Sequence, residues 1–156
     1  MHARGYSLVE MVVVVCVVSI LLAIGTLRFN EFSKRYQTES QTRMIFTALL
    51  NARANAVYQR RPTRVKLYPN LFEVYSSATD GVVPIVSQPL KYPITYNAGS
   101  HVDFDVKGMT ANLCSICVDE SDGTGAVDSI VVHYIKLSIG KKDKGDACNA
   151  PNITIK

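Results

Sequence analysis

Seventeen consecutive residues, Met11 to Leu27, carry no charge, and Glu10 stands immediately before them. Only Ser19, Gly25 and Thr26 interrupt the apolar character of this run. As a helix it covers about 26 Å, slightly short of a hydrocarbon layer of about 30 Å unless Tyr6, Leu8 and Val9 extend it. The expectation is a transmembrane helix. A carboxylate beside such a helix is costly, about 2.5–3.5 kcal/mol near a bilayer centre and less toward the interface, so Glu10 needs a partner. A cleavable secretory signal explains the run less well. Glu10 would break its core, and the apolar pattern continues past the small residues at Ala23-Ile24-Gly25 into Leu27, Phe29 and Phe32. An ordinary single-span anchor leaves Glu10 without a role.

The chain has 156 residues, room for one modest globular core once the apolar start is set aside. Its net charge of +4 is mild and its cations are interleaved with acids, which gives no reason to expect nucleic acid from composition alone. Arg4 precedes the span, whereas Arg28, Lys34 and Arg35 follow it. Charge asymmetry taken by itself therefore puts the long part in the cytoplasm.

No turn signal ends the apolar run. Residues 28–61 contain no proline or glycine, and their apolar positions recur at helical spacing: Phe29, Phe32 and Tyr36, then Ile45, Leu49, Ala52 and Ala56. A continuous helix from Leu8 to Arg61 would be about 80 Å long. The polar stretch from Gln37 to Arg43 would separate its halves, and Pro62 would stop it after Gln59-Arg60-Arg61. Beyond Pro62 the period becomes two. Strands are predicted at 63–68, 71–75, 82–86, 91–96, 101–106, 113–118 and 129–138, with separators such as Pro69-Asn70, Asp80-Gly81 and Lys107-Gly108. These form a predominantly antiparallel sheet, and the helical stripe from Ile45 to Val57 is its natural cover. The fold class is α+β.

The segment Arg4-Gly5-Tyr6-Ser7-Leu8-Val9-Glu10, followed by the apolar run, resembles the class III signal of type IV pilins and type II secretion pseudopilins. The resemblance implies cleavage after Gly5 by a prepilin peptidase, N-methylation of Tyr6, and a filament-assembly role for Glu10, whose carboxylate would pair with the amine of a neighbouring subunit. It also implies a single-pass inner-membrane location with the long part in the periplasm, against the charge count. The domains are then a cleaved leader at 1–5, a transmembrane and filament-core helix at 6–27, an amphipathic helix at 28–61 and a periplasmic β-rich domain at 62–156. Partners would be other pilin or pseudopilin subunits, the peptidase, the inner-membrane assembly machinery and the membrane. Leu49-Leu50-Asn51-Ala52-Arg53-Ala54-Asn55-Ala56-Val57, Phe104-Asp105-Val106-Lys107-Gly108 and Ile130-Val131-Val132 resemble the minor pilins and H-type minor pseudopilins described as GspH/FimT-like. Two departures stand out: Leu27 replaces a common proline, and Tyr134-Ile135-Lys136-Leu137 replaces the usual Gly-Arg-x-Arg strand end.

Cys114 and Cys117 lie three apart in a strand pattern with no second such pair and no histidine nearby, so a metal half-site is not expected. Alternation puts Cys114 with Ile116 and Val118 on one face and Cys117 on the other. In the oxidising compartment that the resemblance implies, a disulfide to Cys148 would pin the C-terminal tail, with Cys117 favoured over Cys114 as the partner. His101, Asp103 and Asp105 share a strand face, read as solvated rather than metal-binding. The acidic loop from Asp119 to Gly123 lacks the ligand pattern of a calcium site and reads as a hairpin turn. Lys136, Lys141, Lys142 and Lys144 could touch DNA phosphates, as in a DNA-uptake pilin, though a solvated loop is the simpler reading. No nucleophilic constellation is present in the pattern; the expectation is a filament subunit that is not an enzyme and carries no cofactor or metal. The rivals are that DNA-binding pilin and a membrane-anchored periplasmic binding domain.

Overall fold

The computed structural model describes residues 7–79, 81–118 and 125–156, and at 24 and 26–28 the backbone alone. The cleavage and methylation positions, Gly5 and Tyr6, and the acidic loop from Asp119 to Gly123 therefore lie outside the described residues.

Among the described residues the first element is helix α1, Leu8–Gln59, followed by nine strands: β1 (Thr63–Tyr68), β2 (Leu71–Tyr75), β3 (Val86–Pro89), β4 (Ile94–Tyr96), β5 (His101–Phe104), β6 (Cys114–Val118), β7 (Ser129–Val132), β8 (Leu137–Lys142) and β9 (Ile153–Ile155). A 3-10 turn, Ala150–Asn152, precedes β9. The chain divides into two units, Met1–Lys34 and Arg35–Lys156.

In the second unit the strands form two antiparallel sheets rather than the one expected. One has the order β3-β2-β1-β5 and the other β4-β6-β7-β8-β9. Short turns explain the neighbours in sequence: Pro69-Asn70 joins β1 to β2 with Tyr68 opposite Leu71. The predicted strand at 129–138 is broken by a hairpin turn, in which the His133 amide donates to the Lys136 carbonyl at 2.9 Å, and it becomes β7 and β8.

Ile45, Leu49, Ala52 and Ala56 of α1 are fully buried against Val65, Leu67, Phe72, Val102, Phe104, Ile116 and Ile130 from both sheets. Their spacing of four, three and four residues puts them on one helical stripe, as the sequence required. The end of α1 is built without glycine. Arg60 takes φ +52, and the Arg60 and Arg61 amides donate to the Val57 and Ala56 carbonyls at 3.3 and 3.2 Å. This is a Schellman closure, and Pro62 follows it.

One expectation is overturned. Among the described residues no helix is long and apolar enough to cross a membrane. The transmembrane assignment at 6–27, and with it the single-pass inner-membrane location, does not stand. Length is the physical reason. The run without charge between Glu10 and Arg28 is seventeen residues, about 26 Å of helix, whereas about 30 Å is needed.

Candidate assembly surface

The first unit is a helix whose described side chains point to solvent. From Leu8 to Leu22, twelve large apolar residues are 47–80% exposed, with valine, leucine and isoleucine all round the helix. Helices that are apolar on every side are normally buried. β-Branched valines at 12–15, 17 and 18 are tolerated because each backbone group has its partner four residues away; the Met11 amide, for example, donates to the Ser7 carbonyl at 3.2 Å. Ser19 turns its hydroxyl back to the Val15 carbonyl at 2.7 Å and so offers no unpaired donor to a partner.

Glu10 lies in the first turn of α1. The positive end of the helix dipole favours a carboxylate there, worth about 0.3–1 kcal/mol at an exposed position. Ser7 immediately precedes the helix and stands three residues before Glu10, the spacing of a capping box. A helix-starting role therefore accompanies any role for Glu10 between subunits.

The lysines proposed for DNA do not form one patch. Lys136 belongs to the β7–β8 turn, whereas Lys141 and Lys142 close the far end of β8, about 20 Å along the strand, and project to opposite faces. Asp143 and Asp146 flank Lys144. The His101, Asp103 and Asp105 face is likewise committed elsewhere. Asp103 accepts two bonds from Arg64 at 2.7 and 2.9 Å, with His101 Nε2 at 3.8 Å from its second oxygen. Asp105 Oδ1 accepts from the Lys107 and Met109 amides and shapes the turn at Gly108. Among the described residues no group of three His, Cys, Asp or Glu side chains is placed to hold a metal ion.

Cys117 and Cys148 form a disulfide across 31 residues. Cys117, Val131 and Ile153 make a small second core on the face of the β4–β9 sheet away from α1, and Cys148 and Ala150 pack on it. The segment before β9 thus straps that face. Gly140 makes room for it: a Cβ there would stand 2.6 Å from the Thr154 carbonyl oxygen. Cys114 faces the main core with Ile116 and Val118 and has no disulfide partner; burial pushes its thiol up to about 12. Tyr75 Oη donates to Glu73 at 2.6 Å, and that bond is the main cause raising its hydroxyl to about 12.

Sequence reasoning missed the site where α1 is fastened to the strands. Gln41, read as part of a polar separator, is 6% exposed. Its amide nitrogen donates to the Tyr92 carbonyl at 2.7 Å, and its oxygen accepts from the Lys91 and Tyr92 amides at 3.0 Å each. Tyr92 Oη donates to Gln37 at 3.1 Å, while Thr42 returns its hydroxyl to the Thr38 carbonyl. A signal was available: Thr38 and Thr42 continue, upstream, the spacing of Ile45, Leu49, Ala52 and Ala56.

A long helix whose second half is covered by two antiparallel sheets has counterparts among solved structures. The fold is pilin-like. The chain superposes on the crystal structure of the type IV minor pilin FimU from Pseudomonas aeruginosa strain PAO1 with a TM-score of 0.52 at 17% identity, covering 69% of this chain and 91% of that one. A second crystal form of FimU gives 0.50 at 17% identity, over 65% and 90%. No protein-family profile and no curated protein sequence matches the chain.

Proposed function

We propose that this pilin-like chain is a minor pilin or pseudopilin, a structural filament subunit rather than an enzyme. In this reading a prepilin peptidase cuts after Gly5, Tyr6 becomes the N-methylated first residue, and the chain joins other pilin subunits through its N-terminal helix with the help of an assembly machine. The observation that carries it is the apolar exterior of α1 from Leu8 to Leu22, which has no cover among the described residues. At about 1.5–3 kcal/mol for each large side chain fully buried, completing the burial of twelve half-exposed ones is worth on the order of 10 kcal/mol, enough to drive association of like helices. The pilin-like fold supports the same reading.

Glu10 gives that packing its register. A carboxylate inside a helix bundle is unfavourable unless it meets a cation, and the amine released before Tyr6 is one, four residues away along the chain or presented by a neighbour. The test has two arms. Intact-mass analysis of the native protein should show a chain starting at methylated Tyr6, and Gly5 substitution should leave the leader in place. Glu10→Ala should be processed normally yet fail to enter filaments. A native chain that still begins at Met1, or Glu10→Ala filaments formed at the parental level, would refute the proposal.

A further inference from the structure

Between the second half of α1 and the face of β2 and β3 runs a groove of about 580 Å³, lying wholly within Arg35–Lys156. Its floor is apolar, with Met44 and Ala48 on the helix and Phe72 and Val74 on β2. Val86 and Gln88 stand opposite Val74 and Phe72 and carry the same sheet face outward past α1, where Val86 is 44% and the neighbouring Ile85 60% exposed. Thr47, Asn51 and Asn55 form a polar, exposed rim along the helix. From Ser40 to Asn55 the helix beside the groove rises about 22 Å. Among the described residues that line it one is charged, Arg43, near the Ser40 end. Lys91 lies in the continuation of the groove past Ser40 and Met44.

We propose that the groove receives the Leu8 to Leu22 helix of a second copy of this chain, lying parallel to the host α1 with its Glu10 beside the host's Arg43. The inference rests on the filament-subunit reading and names the surface that the uncovered helix meets. Length agrees: Leu8 to Leu22 rises about 21 Å, against about 22 Å of groove. So does the pattern. Glu10, Val14, Val17 and Leu21 recur at intervals of four, three and four, so one face of the guest carries the carboxylate and a row of apolar side chains to lie on the floor. The polar rim stays at the margin, where water reaches it. Charge sets the direction. With Leu8 opposite Ser40, Glu10 falls within one residue of Arg43, whereas a reversed guest would leave it at the Asn55 end, where no lining side chain among the described residues is charged. Arg43 has donors to spare: its Nε and Nη2 serve Glu39 at 3.0 and 2.8 Å, and a guanidinium carries five N–H groups. That pair is largely exposed and gives up little to accept a second carboxylate. Glu10 and Glu39 then balance Arg43 and Lys91.

The test is a thiol cross-link between full chains in the assembled state. Cys16 is exposed and is first replaced by serine; Cys114 is buried and Cys117 is already bonded to Cys148, so both stay. In that background the register sets residue 17 of one copy against residues 48 and 49 of the next, within the Cα separation of about 4.4–6.8 Å that a disulfide needs. Val17→Cys/Ala48→Cys should therefore give a ladder of covalent dimers and longer species under mild oxidation, because a contact between two different surfaces of like chains does not close on itself. Val17→Cys/Asn55→Cys, about 10 Å farther along the helix, should give at least tenfold less. Adding Arg43→Glu to the first pair should lower its yield about tenfold, and adding Arg43→Lys should leave it within about twofold. Unchanged circular dichroism identifies the variants as folded. Assemblies that form without the position 17 to 48 cross-link, equal yields at 48 and 55, a yield indifferent to Arg43→Glu, or a cross-link from position 17 to a different polypeptide each overturn the groove while leaving the filament-subunit reading in place. Processed chains that stay monomeric overturn both.

Discussion

Replacing Gln41 by leucine should separate the helix from the strand connection that it holds. The residue joins α1 to the segment between β3 and β4, which is where the chain first passes from one sheet to the other. Three hydrogen bonds are lost, and at about 1 kcal/mol net each they sum to about 3 kcal/mol. The loss is not larger because Lys91 is exposed and Tyr92 half-buried, so water reaches part of what is left unpaired. Gln41→Glu is the discriminating control. It keeps an oxygen for the Lys91 and Tyr92 amides but sets its second oxygen against the Tyr92 carbonyl in a site 6% exposed, so it should cost more than leucine when ionised and less than leucine at acid pH, where the protonated carboxyl donates to that carbonyl. Urea unfolding of the full chain gives both values, and amide exchange at Lys91 and Tyr92 locates the effect. If glutamate costs the same at acid and neutral pH, or if exchange at those two amides is unchanged by leucine, Gln41 is filling space rather than tying the loop.

Removing the disulfide as Cys117→Ala/Cys148→Ala should cost about 3–4 kcal/mol for a loop of 31 residues, read by denaturant unfolding, with β9 amides exchanging before the rest. Gly140→Ala should destabilise β9 by about 1–3 kcal/mol, because the new Cβ meets the Thr154 backbone oxygen, which cannot rotate away; exchange at Ile153 and Ile155 measures it. Cys114 holds its proton more tightly folded, about 12, than at the ordinary 9.0, so stability is intact below pH 9 and falls as pH rises toward 12, by up to about 1.4 kcal/mol per unit. Tyr75 titrates in an overlapping range, so the slope belonging to the thiol is the difference between the parent and Cys114→Ala in thermal melts across pH 8 to about 11.

Much of the fold is written in local periodicity. β1 and β2 begin and end at the residues where alternation begins and ends, since one face of each strand is buried and the other is not. The same alternation puts Cys114 and Cys117 in different cores. What escaped has long-range causes. β9 is three residues long, exposes Thr154 and Ile155, and exists because Gly140 lets it approach and Cys148 ties the segment before it. The division into two sheets depends on which edges meet, and the strap on the far face makes the second sheet closed on both sides, so β6 and β7 are buried at every position and have no solvent face to reveal that second cover. Gln41 escaped because its partners are main-chain groups fifty residues on, and backbone groups leave no trace in composition.

The N-terminal helix shows the limit most sharply. Hydrophobicity states that the surface from Leu8 to Leu22 must leave water, and it does not state what replaces the water. Arithmetic on length separates the two outcomes that the residues allow. A bilayer demands about 30 Å of unbroken apolar helix, and the seventeen uncharged residues between Glu10 and Arg28 give about 26 Å. Packing against other helices has no such minimum: each added turn contributes its own burial, and in the proposed filament the charge at Glu10, an interruption in lipid, would be a fixed point that selects one stagger among the many that a nearly uniform valine surface would accept. The proposed bundle would account for both the greasy stretch and the acid beside it. If Glu10→Ala filaments formed with mixed stagger rather than not at all, the carboxylate would be choosing the register and not supplying the drive, and the twelve apolar side chains would be the source of the affinity.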